Sequence, residues 1–349
     1  MTLENVFVGK KVVQQIYMNN ALIYQAKGWQ TLPSTVQEVW TKKYDNFNGG
    51  TCTIDLKDCI YYADGVSLSK FDSDGMLLWQ KAYPAAYKVC IDSDNTPYLA
   101  SKKQRPNSSG FGVKINKIDE SGNSIQEAFI SSNYYVDSIT NFIMDNNYLY
   151  ASTIYQDSGG FYPHLFKADK NLKMIAVVDT NPANLITTNE DQYLYYSSGI
   201  QVFRIEKSSL RNSALVFKAN NSINSISFDK LGNIVYSAGS DLYKYNFLRN
   251  SIDTIKGTTN SYCKQFCIDY QQNIYSIKGD TSTNYKINLV KVSSDNTLIY
   301  DINVGEDLAN NIFSGKLIVD NNGNIYYLYI NSSNQLVIKK FINLVKKGS

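Results

Sequence analysis

Histidine, cysteine and proline are scarce in this sequence of 349 residues, with one, five and six copies respectively. The cysteines are odd in number and lack the Cys-x-x-Cys spacing of a zinc site, and a single histidine adds little to a set of metal ligands. We therefore expect no metal site, and we interpret the thiols as reduced, small buried hydrophobes. They are Cys52, Cys59, Cys90, Cys263 and Cys267.

Charge of one sign and long apolar runs are also missing. The net charge is +3, and Lys and Asp residues are interspersed rather than grouped in blocks, which argues against nucleic acid as a partner. No stretch approaches the roughly 18 apolar residues of a membrane span, so we expect no membrane insertion. The first residues run into polar sequence without the apolar core of a signal peptide, which predicts synthesis and folding in a cytoplasm.

Tyrosine, by contrast, is abundant, with 28 copies, and hydrophobic residues make up 43% of the chain. Tyr and Ile are strand formers, and this hydrophobic share is sufficient for an extensive core. The composition therefore favours an all-β protein. Length alone would allow two average domains, but repeat-built β folds of this size often form one unit.

A hairpin motif recurs along the chain. An apolar strand ends in Asp, a short turn follows, and a Tyr-rich strand comes next; residues 228–235, 268–275 and 319–326 are the clearest copies. The Asp side chain accepts hydrogen bonds from the backbone two residues on, and Gly or Asn tolerates the positive φ of a tight turn. Looser copies begin at Asp55, Asp92, Asp145 and Asn189.

A third strand with a central basic residue follows the hairpin in all seven copies. Because lysine suits strand faces that avoid edge pairing, we interpret these basic residues as solvated positions of an outer strand. A sevenfold ring that binds an anionic polymer is the alternative. The basic residues are Lys70, Lys117, Lys167, Arg204, Lys244, Lys291 and Lys340.

A fourth strand follows in six copies and is missing from the last. Residues 38–44, near the other end of the chain, match residues 77–83 in the placement of Trp, Lys and Tyr. Borrowing this strand would remove the open edges of a ring of blades. We predict a seven-bladed β-propeller of four-stranded antiparallel blades closed by residues 38–44, with about 45 residues per blade; six or eight blades are the alternative counts.

Residues 1–36 lie outside the repeat and are predicted to form a small β-ribbon, which leaves residues 37–349 as the propeller. A ribbon of this size cannot bury a core by itself, so it must pack on the propeller or on another protein. Residues 8–25 read Val-Gly-Lys-Lys-Val-Val-Gln-Gln-Ile-Tyr-Met-Asn-Asn-Ala-Leu-Ile-Tyr-Gln, and Gly28 and Trp29 follow.

This segment resembles the short leader of tail and baseplate-associated proteins of phages that infect Gram-positive bacteria, which reads roughly Gly-x-x-x-Val-x-x-Ile-Tyr-x-Gly-x-x-Leu-Ile-Tyr. The resemblance implies an attachment element in front of a variable module, other tail or baseplate proteins as partners, an oligomeric setting in the virion, and synthesis in the host cytoplasm. Packing against the propeller edge is the alternative role for this leader. Its candidate attachment residues are Val8, Ile16, Tyr17, Leu22, Ile23, Tyr24 and Trp29.

Features that would support an enzyme are weak. Residues 72–79 resemble the Asp-x-x-Thr-Gly-x-x-x-Trp turn of propellers that bind pyrroloquinoline quinone, but they are one residue shorter and lack the Thr; the likeness supports the blade topology and not the cofactor. His164 stands without a nucleophile motif, and carboxylates are too plentiful to single out a glycosidase pair. We expect no cofactor and no enzymatic activity.

Two insertions combine charged, amide and aromatic groups, as binding loops on a rigid scaffold do. Host cell-wall carbohydrate is their candidate ligand, and our first hypothesis is a non-enzymatic virion component whose propeller is a scaffold or host-surface binding module. The alternatives are a carbohydrate-active propeller enzyme acting on cell-wall polymer and a bacterial protein-interaction propeller. The candidate loop residues are Lys102, Lys103, Arg105 and Phe111 in one insertion and Tyr155, Phe161 and Tyr162 in the other.

Overall fold

The computed structural model describes the backbone of residues 6–8, 11–13, 15–18, 21–25 and 35–344, with gaps at 107–109, 131–135, 158–159, 180–184, 190, 256–264, 281–285 and 307–314. Side chains are described from residue 36 onward, apart from these gaps and residues 156–157, 161, 185, 280, 286 and 305–306. Every regular element in this part of the chain is a β-strand, and no helix in it could cross a membrane.

Seven four-stranded antiparallel sheets form the blades. Blades one to three consist of β6 (Thr51–Ile54), β7 (Ile60–Ala63), β8 (Ser67–Phe71) and β9 (Leu77–Ala82); β10 (Ala86–Ile91), β11 (Pro97–Gln104), β12 (Phe111–Ile118) and β13 (Ser124–Phe129); and β14 (Ser138–Met144), β15 (Tyr148–Asp157), β16 (Gly160–Asp169) and β17 (Met174–Asp179).

Blades four to six follow in the same order. They consist of β18 (Leu185–Thr188), β19 (Tyr193–Ser198), β20 (Gln201–Glu206) and β21 (Ala214–Lys218); β22 (Ile223–Phe228), β23 (Ile234–Ala238), β24 (Asp241–Asn246) and β25 (Ser251–Thr254); and β26 (Phe266–Ile268), β27 (Ile274–Asp280), β28 (Lys286–Val292) and β29 (Leu298–Glu306).

Blade seven joins the two ends of the propeller. It consists of β30 (Lys316–Val319), β31 (Ile325–Ile330), β32 (Leu336–Leu344) and, as its outermost strand, β5 (Thr35–Tyr44). Trp40 lies opposite Lys340 and Lys42 opposite Ile338. The predicted seven-bladed ring and its closure are thus confirmed, and the closing strand is longer than predicted because its pairing continues to Thr35 opposite Leu344.

The closing strand also clamps the next blade. The Trp40 indole packs so closely on Gly75, in the last turn of blade one, that a Cβ built there would lie 2.4 Å from the ring, and the Tyr44 hydroxyl donates to the Gly75 carbonyl. The last strand of blade one makes the same contact with blade two, where the Tyr83 hydroxyl donates to the Gly122 carbonyl at 2.9 Å. The Trp and Tyr that match residues 77–83 therefore have a packing role as well as a pairing role.

Apolar side chains between neighbouring blades form the core. One cluster joins Tyr326 and Ile338 of blade seven to Ile60, Tyr62 and Phe71 of blade one. Similar clusters join the other blades, and their largest fully buried side chains are mostly tyrosines. Burial of a large apolar side chain stabilises by about 1.5–3 kcal/mol, which explains the dominance of Tyr and Ile in the strands.

Two hairpins precede the ring. β1 (Val6–Val8) pairs with β2 (Lys11–Val13), and β3 (Gln15–Met18) pairs with β4 (Ala21–Gln25). Each forms its own two-stranded sheet, and in the described residues neither pairs with a strand of the ring. The predicted β-ribbon over residues 1–36 is therefore two separate hairpins in the described residues.

Candidate functional site

The blades present two different faces. Because neighbouring strands are antiparallel, the turns after the first and third strands lie at one end of a blade, and the turn after the second strand and the connection to the next blade lie at the other. We call these the turn face and the loop face. The two predicted binding loops follow second strands, β11 and β15, and therefore lie on the loop face.

Aspartates build the turn face. In blade one the Asp55 carboxylate accepts hydrogen bonds from the Lys57 and Cys59 amides at 2.9 and 2.8 Å. The same pattern follows third strands, for example at Asp72, which accepts from the Asp74 and Met76 amides. These carboxylates thus accept hydrogen bonds from backbone amides of their own turns. No cluster of three metal-ligating side chains occurs in the described residues.

The seven basic residues are not the fully solvated positions that we predicted. Lys70, Lys167 and Lys291 are buried, Lys70 being only 8% exposed, and the other four are half-buried. The Lys70 amine lies 5.0 Å from the centre of the Tyr61 ring on the neighbouring strand, and the Lys340 amine lies 5.3 Å from the Tyr326 ring. The Tyr326 hydroxyl in turn donates to Asp320 at 3.1 Å.

An Asp, a Tyr and a basic residue thus form a stack along the blade, in which the aromatic ring shields the amine from solvent. In blade five Val235 replaces the Tyr, and Lys244 forms an ion pair with Asp229 at 3.2 Å. These charges stabilise the blades and do not form an open ring for a polymer.

The structure brings the two predicted loops onto one surface. The Lys102 amine lies 4.8 Å from the centre of the Phe111 ring and donates to the Asp137 carbonyl at 2.9 Å. The Asp137 amide donates to the Ile154 carbonyl, next to Tyr155, at 2.8 Å. Residue 137 therefore links the loop of blade two to that of blade three.

Aromatic groups on this surface are accessible. Phe111 is 43% exposed and Tyr162 is 42% exposed, and the Tyr155 and Tyr162 rings lie 5.9 Å apart. Lys103 pairs with Gly112, the neighbour of Phe111 on β12, and Arg105 directly follows β11. The Phe161 side chain lies outside the described residues. Exposed rings beside amines can stack on and hydrogen-bond to a sugar or a peptide.

The predicted attachment residues lie in the two hairpins. Val8 is the last residue of β1. On the second hairpin, Ile16 pairs with Tyr24 and Tyr17 pairs with Leu22, and Ile23 lies between Leu22 and Tyr24 on β4. Trp29 lies outside the described residues, as do all the side chains of this segment. Their role in attachment stays a prediction.

Sequence reasoning missed a groove between blades three and four. This turn-face cavity has a volume of about 950 Å³ and is lined by residues that include Asp145, Lys167 and Lys207. The Lys207 amine donates to the Asn189 and Asp191 carbonyls at 2.7 and 2.9 Å and lies 3.6 Å from the Asp145 carboxylate. The degenerate turn at Asn189 was the only signal, and its polar groups are already paired.

His164 takes part in a cross-strand pair. Its ring Nδ1 lies 2.8 Å from a carboxylate oxygen of Asp179, and its side chain is 9% exposed. It packs against the Phe166 ring on the third strand of blade three. This position fits a structural histidine.

Comparisons with known proteins reach only as far as the fold. No family model and no curated protein matches the chain. Virginiamycin B lyase from Staphylococcus aureus is similar in structure, with 14% sequence identity, a TM-score of 0.57 and coverage of 88% of this chain and 100% of that chain. The WD40 β-propeller domain of Doa1 is also similar, with 11% sequence identity, a TM-score of 0.63 and coverage of 88% of this chain and 97% of that chain.

A streptogramin B lyase is similar to the same degree (11% identity, 88% and 98% coverage, TM-score 0.58), and a histidine-to-alanine variant of the staphylococcal lyase is catalytically inactive. None of these proteins is a virion protein by its name. At such identities the likeness concerns architecture, which different functions share. The comparisons therefore identify this chain as a β-propeller of the kind seen in both lyases and WD40 domains.

Proposed function

We propose that the chain is a non-enzymatic component of a phage virion, held in the tail or baseplate by its N-terminal hairpins, with the propeller as a scaffold or host-surface binding module. One observation carries the proposal: β5 completes the ring, so residues 1–34 are not needed for closure and pair only among themselves in the described residues. Two small hairpins with no sheet partner need another surface to pack on. Because residues 8–25 resemble the leaders of phage tail proteins, we propose that this surface belongs to another tail or baseplate protein.

The absence of catalysis is part of the proposal. The staphylococcal lyase is inactivated by loss of a histidine, whereas the one histidine of this chain is buried in a cross-strand pair. The Asp carboxylates of the turns are hydrogen-bonded to backbone amides, which leaves them poorly placed for acid–base chemistry. Incubation with host cell walls should therefore release no fragment, and a released sugar or phosphate product would favour the carbohydrate-active alternative.

Attachment is tested by truncation. A tagged chain lacking residues 1–34 should fold but be absent from phage particles purified from the host that produces it, whereas the full-length tagged chain should be incorporated. Tyr24→Ala, which removes a predicted attachment side chain, should reduce incorporation, and Tyr87→Ala, at an exposed site on the ring, should not. Incorporation of the truncated chain at the full-length level would contradict the proposal.

Surface binding is tested on the loop face. Replacing Phe111 and Tyr162 together with alanine should weaken binding of the labelled protein to host cells by about tenfold or more, because stacked aromatic groups contribute about 1 kcal/mol each beyond their buried area. Leu248→Ala is the matched control, since this residue is 98% exposed on the turn face. Equal binding by the double variant would remove the loop face from the proposal and leave a scaffold role.

A further inference from the structure

The segment that joins the closing strand to blade one is fixed near both of its ends. Residues 45–50 run from β5 to β6. Phe47 is 4% exposed, and its ring lies 6.1 Å from the Tyr62 ring. A Cβ built on Gly50 would lie 2.0 Å from the Ala63 carbonyl oxygen, so the main chain there packs directly on blade one. The two residues between these anchors therefore span a fixed distance.

These two residues are Asn48 and Gly49, and both are exposed. No atom lies within 4 Å of a Cβ built on Gly49. Within the described part of the chain, neither the Asn48 side chain nor the Gly49 amide forms a hydrogen bond. The Asn48 main-chain carbonyl, by contrast, accepts a hydrogen bond from the Tyr62 hydroxyl at 2.8 Å. The side chain and the following amide are thus free to approach each other.

An asparagine in this setting reacts with its own backbone. The Gly49 nitrogen loses its proton and attacks the side-chain carbonyl carbon of Asn48, ammonia leaves, and a succinimide ring forms. Glycine favours the attack because it has no Cβ to obstruct the nitrogen. Water then opens the ring. Opening at the side-chain carbonyl gives aspartate, and opening at the main-chain carbonyl gives isoaspartate, in which the chain runs through the former side chain.

The sequence contains one other Asn–Gly pair, Asn322–Gly323, in the first turn of blade seven. The Gly323 amide donates to the Asp320 carbonyl at 3.1 Å. The Asn322 side chain donates to the Asp58 carboxylate of blade one at 2.9 Å. Both reacting groups of this pair are therefore held in hydrogen bonds, and the reaction requires local opening of the turn.

We propose that Asn48 is a site of spontaneous deamidation, at which the protein converts its own Asn48–Gly49 linkage to isoaspartate with water as the co-reactant. Isoaspartate adds one methylene to the main chain between Phe47 and Gly50. It also turns the carbonyl that accepts the Tyr62 hydrogen bond into a free carboxylate. Because an added atom between two packed anchors must displace one of them, the reaction loosens the join between the closing strand and blade one. The site is independent of the proposed virion role.

The reaction is measured by incubating the full-length protein at mildly alkaline pH, followed by proteolysis and mass spectrometry. We expect the peptide with Asn48 to lose its amide about tenfold or more faster than the peptide with Asn322, because a group that reacts only after local opening is slowed by the opening equilibrium. In the chain unfolded by urea the two asparagines should react at similar rates. Equal rates in the folded protein, or retention of the Asn48 amide while the unfolded chain loses it, would overturn the proposal.

Gly49→Ala is the matched variant for the attacking nitrogen. Gly49 has open space for a Cβ and lacks a positive φ, so the variant should fold with the Tm of the unaltered chain. It should lose the Asn48 amide about tenfold more slowly, because the added methyl group obstructs the nitrogen and raises the barrier. An unchanged rate in this variant would exclude attack by the Gly49 nitrogen.

The structural consequence is measured on aged protein. Anion-exchange chromatography separates the deamidated fraction by its added negative charge, and enzymatic labelling identifies its isoaspartate. This fraction should unfold about 2 °C or more below fresh protein. Freshly prepared Asn48→Asp carries the same charge on an ordinary main chain and should keep the Tm of the unaltered chain. An unchanged Tm in the isoaspartate fraction, or an equal loss in Asn48→Asp, would contradict a role for the added methylene.

Discussion

Removal of residues 1–44 is expected to unfold the propeller, whereas removal of residues 1–34 is expected to leave it folded with little change in Tm. The longer deletion removes β5, which pairs with β32 along its whole length. It also takes Val36, Trp40 and Tyr44 out of the clusters at the junction of blades six, seven and one.

The expected loss is large in relation to total stability. Full burial of a large apolar side chain contributes about 1.5–3 kcal/mol; Val36, Trp40 and Tyr44 are half-buried, so the three together account for about 3 kcal/mol. Domains are stable by about 5–15 kcal/mol, and the deletion also exposes β32 as an open edge.

The two deletions are compared by thermal denaturation followed by circular dichroism and by size-exclusion chromatography. The shorter deletion is the control for loss of the hairpins alone. A cooperative transition at the same temperature in both truncated chains would show that the ring does not depend on its closing strand, and the account of blade seven would be wrong.

Gly75→Ala is expected to destabilise the chain by about 3 kcal/mol. Gly75 has a φ of +74°, a conformation that costs a residue with a Cβ about 1–2 kcal/mol. The new Cβ would also lie 2.4 Å from the Trp40 ring, and relief of such overpacking costs about 1–3 kcal/mol. The indole cannot move away freely because it packs against the Tyr326 ring, 6.2 Å from it.

Gly323→Ala is the matched control, because Gly323 has a φ of +78° and nothing within 4 Å of a Cβ built there. We expect it to cost about 1 kcal/mol, from backbone strain alone. Urea denaturation measures both variants, and addition of Trp40→Ala to each should rescue part of the effect only at Gly75. Equal destabilisation by the two glycine variants would show that the closing strand does not press on blade one.

Much of the fold could be predicted because its signals are local and repeated. The Asp turns recur because in each copy the Asp side chain accepts hydrogen bonds from backbone amides a few residues further along the same hairpin. The match of residues 38–44 to 77–83 predicted ring closure, since both strands perform the same packing on a turn glycine, Gly75 in one case and Gly122 in the other.

Prediction failed where a residue's surroundings come from a different strand or a different blade. Lys70 is on a strand that reads as an amphipathic outer strand, yet it is only 8% exposed and its amine lies 5.0 Å from the centre of the Tyr61 ring. The groove between blades three and four likewise depends on how two turns distant in sequence approach each other. Periodicity cannot distinguish a covered basic residue from a solvated one.

The sequence by itself determined the number of blades, the strands of each blade and the segment that closes the ring, because these depend on repeated patterns and hairpin chemistry. Tertiary structure alone decided which charges are paired. Lys339 and Glu38 lie near opposite ends of the propeller sequence, and only the pairing of β5 with β32 brings their charged groups to 3.2 Å. Electrostatic partners are set by distances across the ring, which no local pattern encodes.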